Sequence, residues 1–163
     1  MRKILKIYTI KDKKEEKVLR KVSKEVSKDE ILSREFQLFL DNLLFTAQKV
    51  ETEEGYSSAG LASIQVGVDK RVFCILKESN GEFELMINPE IKILNNDKVV
   101  DLEGCLSIPN FEGRVSRYKK VKVKYLDREG KTQKAVFKNQ EAREIQHEND
   151  HLDGILFTDK LSD

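Results

Sequence analysis

His147-Glu148-Asn149-Asp150-His151 sets two imidazoles four residues apart. On a helix that spacing puts both on one face, a turn from each other, so that two ligands can meet one metal ion. Glu148 follows the first of them, where its carboxylate can reach a water at the metal without being a ligand. Hydrolysis assisted by a metal is the chemistry such a group could do. The plain alternative is a pair of solvated helix-surface histidines, but these are the only two histidines in the chain, so no other imidazole cluster competes for a metal.

Two imidazoles leave a catalytic centre incomplete, because such a centre takes three protein ligands and keeps one position open. Only 12 residues follow His151, and they hold Asp153 and Asp159 but no further His or Glu. Cys105, in Glu103-Gly104-Cys105-Leu106-Ser107, is the better third ligand: Gly104 allows close backbone approach, and a thiolate completes a Cys-His-His set. A lone cysteine is otherwise a small buried hydrophobe, which is how Cys74 in RVFCILK reads. A third segment, Ser58-Ala59-Gly60-Leu61-Ala62-Ser63-Ile64-Gln65-Val66-Gly67, carries small residues into an amide. Small side chains let a peptide backbone pair alongside, and a buried Gln can donate its NH₂ to a developing oxyanion. Tight helix packing with a structural Gln explains the same residues.

These groups need elements to position them. From about Lys28 to Val50, apolar residues recur at Leu32, Phe36, Phe39, Leu40, Leu43, Ala47 and Val50, which predicts one long amphipathic helix. Arg71 to Lys77 and Phe83 to Ile87 read as strands. Val121, Val123 and Tyr125 alternate with Lys122 and Lys124, and Asp127-Arg128-Glu129-Gly130 turns the chain into a second run ending at Phe137. Gln140 to Leu152 forms the last helix, stopped at Gly154. Lys11 to Lys17 reads as a solvated loop. Strands grouped between helices make the fold α+β: short antiparallel strands and hairpins around the C-terminal HExxH helix. With 163 residues and no linker, a single catalytic domain over residues 1–163 is expected.

Thirty Lys and Arg against 29 Asp and Glu leave a charge of +1, which exerts no global pull toward nucleic acid or membrane. No apolar run approaches a signal peptide or a membrane span, and two cysteines in unlike contexts argue against a disulfide framework. A cytoplasmic location is the simple expectation.

Taken in order, GLASIQVG, EGCLSIP and QHENDHLDG resemble the three motifs of the bacterial peptide deformylases; the early VLRKVSKEV resembles the family's N-terminal segment, and Arg117 sits where the family has an arginine. The resemblance implies removal of the N-formyl group from the initiator methionine of nascent polypeptides, with release of formate. It implies a divalent metal on Cys105, His147 and His151, with Fe²⁺ typical and Zn²⁺, Ni²⁺ or Co²⁺ accepted by the same donors. Gln65 and the backbone N–H of Leu106 would stabilise the oxyanion, Glu148 would be acid and base, and Ala59, Gly60 and Gly104 would lie along the substrate backbone. N-formylmethionyl peptides are the implied partners. The ribosome exit region is implied by kinship only.

The first motif departs from the family's Gly-x-Gly-x-Ala-Ala-x-Gln at Ser58, Ser63 and Ile64. Glu103 and Asp150 are acceptors that could orient a ligand histidine, and Arg117 is a candidate partner for Glu103. Glu144, one turn before His147 and Glu148, is either ion-paired at the helix edge or part of the pocket wall, where it would raise the pKa of Glu148. A zinc peptidase with a downstream ligand, a non-catalytic metal-binding module and a cysteine hydrolase built on Cys105 are the rival readings.

Overall fold

In the computed structural model, which describes residues 1–52 and 55–163, seven strands and four α-helices follow the order α1 (Lys13–Leu19), α2 (Lys28–Leu32), α3 (Arg34–Lys49), β1 (Gly60–Ala62), β2 (Val72–Leu76), β3 (Phe83–Ile93), β4 (Lys98–Cys105), β5 (Ile108–Tyr118), β6 (Lys120–Leu126), β7 (Thr132–Lys138) and α4 (Asn139–Leu152). An antiparallel sheet of five strands runs β1-β2-β3-β6-β7, and β4-β5 form a separate antiparallel pair. The architecture is α+β. Among the described residues no helix is long and apolar enough to cross a membrane.

The continuous apolar run of β2 is explained by burial on both faces. Phe73 and Ile75 pack with Val121, Val123, Tyr125, Ala142 and Ile145 beneath α4. Val72 and Cys74 point the other way, toward Leu40, Leu43 and Ala47 of α3. The sheet therefore carries α4 on one face and α3 on part of the other. Gly154 ends α4 with φ +72, and its N–H bonds the His151 carbonyl at 3.1 Å.

Two expectations change. The helix predicted from Lys28 to Val50 is divided at Ser33, whose extended backbone ends α2 while its hydroxyl accepts the Phe36 N–H at 3.2 Å and starts α3. In α2 it is Ile31 that enters the core shared with Phe36, Leu40 and Leu43 of α3, whereas Leu32, counted in the predicted stripe, is exposed, and the capping chemistry of Ser33 marks the break. The charged stretch expected to be a loop is the start of α1. Asp12 accepts the N–H groups of Lys14 and Glu15, and Leu19 buries the end of the helix.

Candidate active site

α4 presents His147, Glu148 and His151 on its buried face, and the end of β4 brings Cys105 against them. One ligand atom from each of Cys105, His147 and His151 lies within 4.8 Å of the others, and Cys105 Sγ is 3.3 Å from His151 Nε2. Donors bonded to one tetrahedral metal at about 2.1 and 2.3 Å sit about 3.6 Å apart, so this set fits a single divalent ion.

The histidine rings are held from behind. His147 Nδ1 meets Glu103 Oε1 at 2.8 Å, which turns Nε2 toward the thiol. Glu103 is shared further: Arg117 bonds both of its oxygens, at 2.8 and 2.9 Å, and Arg143 bonds one at 2.7 Å. Arg117 reaches on to Asp150 at 2.6 Å, and Lys160 caps Asp150 at 3.2 Å. Of the two acceptors, Glu103 contacts a histidine, whereas Asp150 contacts Arg117. Arg117 is buried, not an exposed arginine.

These contacts shift the titrations. Burial alone would raise Glu103, but the hydrogen bonds from Arg117 and His147 outweigh it and hold the carboxyl far below its ordinary range. Burial lowers His147, yet its bonds to Cys105 and Glu103 raise it well above the usual histidine value. His151 is pushed well below that value by burial and by the His147 and Arg117 charges. For Glu148, burial raises the pKa to about 8, opposed by His147 and reinforced by Glu144 and Glu103.

In front of the donors lies a cleft of about 710 Å³, whose wall includes Ala59, Gly60, Gln65, Gly104, Leu106, Glu144, His147 and Glu148. Gln65 is set by its own chain: Oε1 accepts the Ala62 N–H at 2.9 Å, leaving Nε2 to reach Ser107 Oγ at 3.1 Å and Cys105 Sγ at 3.5 Å. Gly60 packs on Glu148, since a Cβ there would stand 3.0 Å from Glu148 Oε1 and Cγ. At Gly104 a Cβ would meet only Glu112 Cγ at 3.6 Å and the Phe111 carbonyl at 3.9 Å.

The departures in the first motif are absorbed locally. Ser58 Oγ donates to the Gly60 carbonyl at 2.8 Å and accepts its N–H at 3.3 Å, the buried Ser63 hydroxyl donates to the Lys70 carbonyl, and Ile64 joins the core. Glu144 makes no ion pair among the described residues; the Gln140 amide donates to it at 2.8 Å, and it stands in the cleft wall. Arg143 was missed in the sequence. It also holds the Val115 and Val99 carbonyls at 2.9 and 2.6 Å, tying α4 to the β4-β5 pair. Its position four residues before His147, on the face of the ligands, is the signal that could have found it.

The family model for polypeptide deformylase matches residues 4–163. A peptide deformylase of Fusobacterium nucleatum is 43% identical over 156 residues, covering 96% of this chain and 84% of the relative. The crystal structure of the peptide deformylase of Thermotoga maritima superposes with a TM-score of 0.85 at 30% identity, over 99% of each chain. A class I type b peptide deformylase of Acinetobacter baumannii, crystallised with Met-Ala-Ser bound, gives 0.85 at 31% identity over 99% of this chain and 100% of its own.

Proposed function

Because the chain belongs to the peptide deformylase family, metal-dependent hydrolases that remove the formyl group from N-formylmethionyl peptides, we propose the following roles for its residues. The observation that carries them is the meeting of Cys105, His147 and His151 at one point of a cleft that also receives Gln65 and Glu148.

Cys105, His147 and His151 hold one divalent ion, Fe²⁺ in our reading, with Zn²⁺, Ni²⁺ and Co²⁺ able to take the same donors. When bound, that ion supplies Lewis acidity and lowers the pKa of water. The peptide backbone runs along Ala59, Gly60 and Gly104 and brings the formyl carbon over Glu148. Glu148 Oε2, buried with no hydrogen-bond partner among the described residues, takes the proton of the attacking water and then returns it to the leaving amine nitrogen. As the formyl oxygen gains charge, the Gln65 amide and the Leu106 N–H donate to it; with Oε1 held by Ala62, the Gln65 NH₂ stays aimed at the Cys105 side of the cleft and exchanges its long contact with Cys105 Sγ for the oxyanion. The tetrahedral carbon then releases formate and a free amino terminus.

Glu103 fixes the His147 tautomer, with Arg117 and Arg143 keeping Glu103 ionised and Asp150 holding Arg117 in place. Glu144 contributes a polar wall beside the substrate. Nascent chains on ribosomes in the cytoplasm are the source of substrate in this reading. The test is formate release from formyl-Met-Ala-Ser by anaerobically purified protein, with metal content measured on the same sample. Formate in proportion to bound metal, abolished in Glu148→Ala with metal retained, is expected. Fully metallated protein that releases no formate overturns the assignment.

A further inference from the structure

The net charge of +1 conceals a strongly segregated surface. On the face of the five-stranded sheet turned away from α4, the half not covered by α3 is built from the ends of β3, β6 and β7. Val121, Val123 and Tyr125 point inward, so the alternate residues Lys120, Lys122 and Lys124 point out. Register adds lysines beside them: Lys92 stands opposite Lys122, Lys134 opposite Lys124, and Lys138 opposite Lys120. Six lysines thus share the face with one acid, Glu90, itself opposite Lys124.

Like charges directly opposite on neighbouring strands destabilise a sheet, and here three such pairs are kept. Elsewhere some lysines are ion-paired, Lys70 with Glu30 and Lys77 with Glu84 among them. Among the described residues, none of the six has a carboxylate within 4.0 Å. Protection of an exposed sheet edge would account for lysines on β7, the last strand, and for Lys92, where β3 has run past its pairing with β2 and is bonded to β6 alone, but not for Lys120, Lys122 and Lys124 on β6, which is paired on both sides. An external polyanion would relieve the repulsion among them. Lys92, Lys122, Lys124 and Lys134 also line a shallow depression of about 300 Å³. Among the described residues no aromatic side chain is paired into this face for bases to stack on, and its exposed apolar side chains are few, Val136 on it and Leu94 beside Lys120, so neither base stacking nor deep insertion into lipid is provided for.

We propose that the lysine face of β3, β6 and β7 binds the phosphate backbone of structured RNA without sequence preference. The choice of RNA rests on the proposed function, since an enzyme acting on newly made chains works beside the RNA of the translation machinery. The surface is remote in the fold from the cleft, whose wall includes none of these lysines.

Fluorescence anisotropy with a labelled RNA hairpin tests this on the metal-loaded enzyme. Six phosphate contacts predict an affinity that falls about 10³-fold between 50 and 200 mM salt. The variant K122E/K124E/K134E should weaken binding by at least about tenfold and flatten the salt dependence, each lost phosphate contact lowering the slope by about one. The variant K13E/K14E/K28E, which makes the same change in net charge at other exposed positions, should bind as the parent does. Equal losses in the two variants, no binding at low salt, or tighter binding to duplex DNA or to phosphatidylserine vesicles than to RNA would each overturn the proposal. Formate release from formyl-Met-Ala-Ser is measured on the same samples and should not change in K122E/K124E/K134E. RNA binding in a protein that releases no formate would leave the surface standing and sink the deformylase roles; formate without RNA binding would do the reverse.

Discussion

Gly60→Ala is the perturbation whose outcome the geometry specifies most closely. The new methyl group would stand 3.0 Å from Glu148 Cγ, 3.0 Å from Oε1 and 3.1 Å from the carboxyl carbon. Such contacts are tighter than a Cβ tolerates, so the carboxylate must retreat by a few tenths of an ångström. It has little room to do so, because Glu148 is 3% exposed and lies on the helix that carries both histidines. Misplacing a reacting group by about 1 Å costs about 10²-fold in rate, while overpacking costs about 1–3 kcal/mol of stability. The expected result is therefore a kcat for the formylated tripeptide lowered by up to about two orders of magnitude, full metal content, and a modestly lower urea midpoint. Gly104→Ala is the control: its methyl group meets nothing closer than 3.6 Å, so stability should hold and any loss should fall on KM. Unchanged kcat in Gly60→Ala, or activity lost only in step with metal, would refute the idea that this glycine exists to seat Glu148.

Gln65→Ala removes one oxyanion donor and should lower kcat by about 10²- to 10³-fold with metal retained; loss of the metal instead would assign Gln65 to the ligand shell. Arg143→Met strips Glu103 of one of its two arginines and leaves the Val99 and Val115 carbonyls without that donor, so it should cost about 3–5 kcal/mol in denaturant unfolding and weaken metal binding about 10- to 100-fold. An unshifted midpoint would show that Arg143 is dispensable. The two thiols should separate in a disulfide-reagent titration. Cys74 is fully buried, and burial, with the Glu148 charge adding to it, pushes its pKa far up, so it holds almost no thiolate at neutral or mildly alkaline pH. Metal-loaded native protein should show no reactive thiol, chelator-treated native protein one at Cys105, and urea-unfolded protein both; a native reaction at Cys74 would contradict the packing of β2 against α3.

What the sequence determined by itself was the local part. Two histidines four residues apart share a helix face whatever surrounds them, and alternation along Val121 to Tyr125 makes a strand with one buried face, since both follow from backbone periods of 3.6 and 2. The three motifs likewise name a family without any coordinate. Whatever depended on which distant segments meet was decided by the tertiary structure. Asp150 and Glu103 were equal candidates to support a histidine until closure of the β4-β5 pair over α4 brought Glu103 to His147 and turned Asp150 to Arg117. Glu144 read first as an ion pair and otherwise as a pocket wall, and Arg143 went unremarked, because helix spacing says which face a residue occupies but not what that face will touch. The lysines show the same division most plainly. Lys120, Lys122 and Lys124 already alternate along one strand in the sequence, but only strand register, imposed by burial of the apolar residues between them, brings Lys92, Lys134 and Lys138 onto the same surface.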